Sequence, residues 1–144
     1  MYKNNEEMNS IPEYRNCFVC GQGNARGLKL ELRNTDGTAE ADFTPDLSLE
    51  GYDGVVHGGI VSALLDEVMV WSAFYTTGFH AVTAELSVRF VRPLRVGVAC
   101  RVLGSVRENK GRLILTEASI EDESGAVLAR AEGKLFSVKG KAGP

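Results

Sequence analysis

Asp66 and Glu67 stand side by side in an otherwise apolar run, Ile60 to Tyr75, that holds no proline, no glycine and no basic residue. The run reads as a helix, and a helix apolar on nearly every side is normally a buried one. Burying an ionised carboxylate is costly unless it is paired or hydrogen-bonded. An unpaired acid there is expected to have a raised pKa, which suits a general base. His57-Gly58-Gly59 precedes the run. Two glycines leave the first turn without a Ser, Thr, Asp or Asn cap, so its N–H groups stay open to a ligand oxygen and the helix dipole favours negative charge there. A base and an oxyanion hole on one helix are the parts that acyl transfer requires.

The spacing sets how those parts can meet. Asp66 follows Gly59 by two helical turns, so both lie on one side with Ser62, Val70 and Ala73. Glu67 is rotated by about 100° and does not form a dyad with Asp66; a place at an interface or a cleft rim is expected for it. Two turns is also a rise of about 10 Å, too far for both groups to reach one carbon. A second, antiparallel copy of the helix brings Gly59 of one chain to Asp66 of the other. Two equivalent sites per homodimer follow.

The surrounding elements are mostly strands. Leu28, Leu30 and Leu32 alternate with Lys29, Glu31 and Arg33, and Asp36-Gly37 is a hairpin signal leading into Thr38 to Phe43. A loop over 44–56 enters the helix, and Gly78 is its expected cap. Val82, Ala84, Leu86, Val88 and Phe90 alternate with Thr83, Glu85, Ser87, Arg89 and Val91 before Pro93. Strands Val98 to Val106, Leu113 to Ile120 and Val127 to Val138 follow, joined by turns at Glu108-Asn109-Lys110-Gly111 and Asp122-Glu123-Ser124-Gly125. The reading is α+β: one long helix and a strongly curved antiparallel sheet in a single domain over 15–138, with a polar arm over 1–14 and a polar tail over 139–144. An apolar helix with one sheet to cover it asks for a partner chain.

Composition narrows the function. The net charge of −3 over 144 residues argues against phosphate neutralisation on nucleic acid. No apolar run reaches membrane-span length and the first residues do not resemble a signal peptide, so a cytoplasmic protein is expected. Three cysteines do not make a disulfide framework. Cys17-x-x-Cys20 is half a zinc pattern, but Cys100, His57 and His80 offer no paired spacing to complete it, so packed thiols and no metal are expected.

With these residues in place, the chain resembles the hotdog-fold acyl-CoA thioesterases of the PaaI-like, phenylacetate-degradation type. The resemblance runs from Cys17 to about Val138. It rests on His57-Gly58-Gly59 followed by Leu64-Leu65-Asp66-Glu67, on the stretch Val82 to Pro93, and on Asp122-Glu123-Ser124-Gly125-Ala126-Val127-Leu128-Ala129. It implies a helix wrapped by a sheet, a dimer with a continuous sheet, often a tetramer, and hydrolysis of an acyl-CoA with no metal or cofactor. Carried over by position, the Gly58 N–H polarises the carbonyl with His57 beside it. Asp66 is general base or nucleophile, and Thr83 positions the water or the carboxylate. Relatives often carry a side-chain amide where this chain has Gly51, which puts a second carbonyl contact in question. Substrate-binding roles fall on Gly59 and, for the CoA phosphates, on Arg89, Arg92 and Arg95 around Pro93. The alternatives are a non-catalytic acyl-CoA binding module on the same fold and, ranked lower, hydration or dehydration of a hydroxyacyl thioester.

Overall fold

The structure, a computed structural model, describes residues 14–138. The expected arm before Tyr14 and the tail from 139 lie outside the described residues. Strands β1 (Arg33–Thr35) and β2 (Thr38–Phe43) form the first hairpin. Helix α1 spans Gly58–Thr77, and β3 (Ala81–Phe90), β4 (Cys100–Asn109), β5 (Leu113–Asp122) and β6 (Val127–Ser137) follow. All pair antiparallel in one sheet of order β1-β2-β4-β5-β6-β3. Helix α1 lies against β2 to β6 on one face of the sheet.

The turns form for local reasons. Asp36 and Gly37 both have positive φ, 50° and 90°, the two-residue turn that suits a twisted hairpin. Gly78 ends α1 with φ 79° while its N–H donates to Phe74 O. The alternating leucines, however, do not make a strand. Lys29 takes φ 53°, which breaks an extended run, and the Leu28 and Leu30 N–H groups donate to Phe18 O and Val19 O in the cysteine loop. Leu30 and Leu32 are still buried, so the pattern reported burial correctly and pairing wrongly. β4 also begins later and ends later than its apolar pattern, because its ladder with β5 runs on through a bulge at Arg107.

Small residues let the helix settle on the sheet. Ala39, Gly104, Ala118, Ala131 and Val88 stand in register across five strands. A Cβ at Gly104 would lie 2.5 Å from the carbonyl carbon and oxygen of Val68, so helix backbone and strand backbone touch there. Gly104→Ala is expected to destabilise the fold by about 2–3 kcal/mol through forced displacement of α1, a loss that denaturant titration would measure.

The described end strand β3 has one neighbour, β6, and its free edge is ten residues long. Between Thr83 and Glu85 its register with β6 slips by one residue, a bulge at Ala84. Before the bulge Thr83 stands opposite the fully buried Leu135; after it Leu86, Val88 and Phe90 stand opposite Gly133, Ala131 and Ala129 on the same inner face. The simple alternation expected for this strand separates Thr83 from that set. The bulge unites them.

Candidate active site

Helix α1 is not buried equally all round. Val61, Leu64, Leu65, Val68 and Met69 face the core, whereas Gly59, Ser62, Ala63, Asp66 and Val70 form a stripe left partly open to solvent. Asp66 lies on that stripe beside β3. Thr83 Oγ1 donates to Asp66 Oδ1 at 2.7 Å. The bulge described above makes this contact possible, as bulges next to functional sites commonly re-aim a side chain. The carboxylate is therefore hydrogen-bonded rather than unpaired, with one oxygen fixed by Thr83.

The helix start differs from the uncapped end expected from its two glycines. His57 is the N-cap, and its Nδ1 accepts from the Gly59 N–H at 2.8 Å. Histidine stands outside the usual set of capping residues, so the residue-type rule missed it. The Gly59 N–H is thereby taken up within the cap. A Cβ at Gly59 would lie 3.0 Å from His57 Nδ1, so the glycine serves the close approach of the ring. The Gly58 N–H has no acceptor among the described residues. His57→Ala should cost about 1 kcal/mol of stability and His57→Asn much less, since asparagine restores a cap; thermal melts of the two variants compare them directly.

Gly51 sits against this cap. A Cβ there would come within 3.1 Å of His57 Cα, so a side chain at 51 requires the His57 segment to shift.

The three arginines do not share one place. Arg89 stands opposite Arg130 on the outer face of the sheet, across from the face that carries Thr83, and it lines an outer groove of about 720 Å³ with Ser87 and Ser119. This large groove is remote from the helix chemistry. Arg92 instead lines an apolar cleft of about 280 Å³ formed with Val55, Val61, Phe90 and Leu128 next to the helix start. Arg95 bridges to Val55 on the loop that leads into the helix. Arg92 and Arg95 are thereby near the Gly58 end of the site; Arg89 is not.

Glu67 does not sit at a rim. Its Oε1 accepts from Trp71 Nε1 at 3.0 Å and from Cys17 Sγ at 3.4 Å, under the N-terminal loop. Burial, then the charge of Cys17, pushes its pKa up to about 7. Cys17 ionises before Cys20, favoured by its hydrogen bond from Cys20 and by backbone N–H groups directed at its sulfur. The acid with the raised pKa is therefore on the side of the helix away from Thr83.

The profile of the thioesterase superfamily matches residues 53–129, which hold the helix, the bulged strand and most of the sheet. The chain belongs to the thioesterase superfamily. Among solved structures, a thioesterase superfamily protein matches with TM-score 0.78 and 32% identity, over 85% of this chain and 60% of its own. Escherichia coli PaaI, from the phenylacetic acid degradation operon, matches with TM-score 0.73 at 20% identity, over 79% of this chain and 83% of its own. A Streptococcus mutans protein solved bound to acetyl CoA matches with TM-score 0.71 at 18% identity, over 76% of this chain and 88% of its own. Together with the helix on its antiparallel sheet, these likenesses give the hotdog fold, of the PaaI-like type, for this thioesterase-superfamily member. Acyl-coenzyme A thioesterase THEM4 of Xenopus laevis is 29% identical over 65% of the chain, and MIOREX complex component 3 of Saccharomyces cerevisiae is 36% identical over 48%. The chain aligns with 42% and 26% of the lengths of these two relatives, less than half of each. Among its described residues, no helix of this superfamily member is long and apolar enough to cross a membrane.

Proposed function

We propose that the chain hydrolyses an acyl-CoA thioester to a free acid and CoA. The observation that carries this reading is the Thr83–Asp66 hydrogen bond on the open stripe of α1. Thr83 holds one carboxylate oxygen and leaves the other free to act on a water or on the thioester carbon. In the general-base route Asp66 takes a proton as water oxygen bonds to the carbonyl carbon. The carbonyl oxygen gains the negative charge and is stabilised by the Gly58 N–H. Collapse breaks the C–S bond, and the departing CoA sulfur takes up the proton held by Asp66. In the nucleophilic route Asp66 itself attacks the carbonyl carbon, the C–S bond breaks to release CoA thiolate, and water then cleaves the resulting anhydride.

Gly58 and Asp66 of one chain are about 12 Å apart along the helix. A homodimer solves this by facing the two open stripes, with Gly58 of one protomer meeting Asp66 of its partner. The free edge of β3, with Leu86 and Phe90 partly exposed on its inner face, supports pairing of the two sheets along that strand. The cleft beside Gly58 then suits the acyl or pantetheine chain, and Arg92 and Arg95 suit the CoA phosphates. Acyl-CoA as substrate agrees with the acetyl CoA bound to the Streptococcus mutans neighbour and with the acyl-coenzyme A thioesterase activity for which the Xenopus relative is named.

Free-thiol release from short, medium, long and aromatic acyl-CoAs tests the reading. Turnover of any of them supports it; saturable binding without turnover overturns it in favour of a binding module. Thr83→Val is expected to lower kcat about tenfold and Thr83→Ser much less, because only the valine loses the hydroxyl donor, and a tenfold change matches about 1.4 kcal/mol, the scale of a hydrogen bond to a charged group. Steady-state kinetics on the two variants provides the check.

A further inference from the structure

The cysteine loop and the far side of α1 build a second constellation that thioester hydrolysis does not use. Sγ of Cys17, Sγ of Cys20 and a carboxylate oxygen of Glu67 all lie within 4.8 Å of one another. Cys17 Sγ is 3.4 Å from Glu67 Oε1. In a tetrahedral zinc site, with Zn–S about 2.3 Å and Zn–O about 2.1 Å, neighbouring sulfur and oxygen ligands are about 3.6 Å apart and two sulfurs about 3.8 Å apart. The Cys17–Glu67 distance is close to such an edge, and the other two donor pairs lie within 4.8 Å.

The loop is constructed to hold the two sulfurs on one side. The Cys20 N–H donates to Cys17 Sγ at 3.4 Å, and the Gly21 N–H donates to Cys17 O at 2.9 Å. A Cβ at Gly21 would lie 2.4 Å from Arg15 O and 2.5 Å from Cys17 N, so only glycine closes this turn. Backbone N–H groups aimed at a sulfur stabilise the thiolate that a metal requires. Trp71 Nε1 fixes the third donor from the helix, at 3.0 Å. Such outer partners orient ligands in metal sites. Cys-x-x-Cys lacked a second pair in the sequence; the fold supplies one residue of another type, fifty positions away.

We infer that Cys17, Cys20 and Glu67 bind one thiophilic divalent cation, zinc by the character of the ligand set, with a fourth position open to water or an outside ligand. The ion ties the N-terminal loop to the side of α1 away from Asp66 and Thr83. The inference stands independently of thioester hydrolysis.

The test is cobalt titration of the reduced, metal-free full chain, followed by competition with zinc. One equivalent of cobalt should give thiolate-to-metal absorption in the near ultraviolet and tetrahedral bands in the visible, all erased by zinc. Cys17→Ser and Cys20→Ser should each abolish the near-ultraviolet signal's full intensity, Glu67→Gln should weaken affinity more than tenfold, and Cys100→Ser should change nothing. Zinc should also raise the Tm of the wild-type chain far more than that of Glu67→Gln. A folded wild-type chain with titratable thiols and no thiolate–cobalt band overturns the site, as does a band unaffected by loss of Cys17. The wild-type titration decides even where a variant fails to fold.

Discussion

Asp66→Asn is expected to lower kcat on the preferred acyl-CoA by about 10²–10⁴-fold, the usual contribution of a positioned proton acceptor. Asparagine keeps an oxygen to accept from Thr83 Oγ1, now 2.7 Å from Asp66, and so preserves the local geometry. Affinity for CoA should change little, which separates loss of chemistry from loss of binding. Glu67→Gln is the matching control: it removes the neighbouring carboxylate and is expected to leave turnover intact, because Glu67 faces Trp71 and Cys17 on the other side. An Asp66→Asn enzyme retaining more than about a tenth of wild-type kcat would remove Asp66 from the centre of the reaction. Single turnover in ¹⁸O water then tests for the anhydride: label in Asp66 marks one opened at the aspartyl carbon, whereas label in the product acid follows from water attack on the thioester or on the acyl carbon of an anhydride.

The second large effect concerns Gly58. Proline at this first helical position deletes the N–H while fitting the helix, since Pro is well tolerated there. His57 already has φ −56° and ψ 134°, the extended conformation that a residue before proline prefers. The nearest ring carbons of Phe90 are 3.4 Å from an added Cβ, a contact distance. Gly58→Pro should therefore fold and lose about 10²–10³-fold in kcat, the measured scale for one oxyanion donor. Mixing this variant with Asp66→Asn after dissociation and reassociation gives the decisive result. If each site joins Gly58 of one protomer to Asp66 of its partner, half of the dimers are mixed and each mixed dimer holds one intact site. Activity should recover to about one quarter of wild type. No recovery above the sum of the two variants, with mixed dimers demonstrated by tag pull-down, would place both groups of a site in one chain.

Much of this arrangement is legible before the fold is known. The apolar run from Ile60 to Tyr75 announces a helix, Gly78 its end, and Asp36-Gly37 a hairpin, because each depends on local backbone preference or a simple period. The side of the helix on which Asp66 lies, shared with Gly59 and Ser62, follows from helix geometry, whereas the role expected of Gly58 comes from the family resemblance. Thr83 is different: without the family resemblance it is an ordinary strand threonine, since its contact with Asp66 depends on a one-residue slip that alternation cannot report. The His57 cap escapes a rule written for shorter polar side chains. Arg89 looked like a neighbour of Arg92 by sequence distance, yet strand pleating turns it to the outer face. Glu67 reads as a rim residue because one of its partners, Cys17, lies fifty residues back in a loop with no period. The leucines from Leu28 to Leu32 carried a true signal of burial, while their backbone hydrogen bonds went to the cysteine loop instead of a strand.

The bulge at Ala84 makes the length of β3 matter as much as its composition. Side chains on a strand obey an odd-even count, and Ala84 is the one residue that resets it. Shortening the strand by one residue here leaves every remaining amino acid in place, yet Thr83 and the trio Leu86, Val88 and Phe90 can no longer share a face. Either the hydroxyl turns away from Asp66 or three apolar side chains swing outward. A substitution at Ala84 preserves the count, and a deletion does not. In this strand a residue with almost no side chain acts as a spacer.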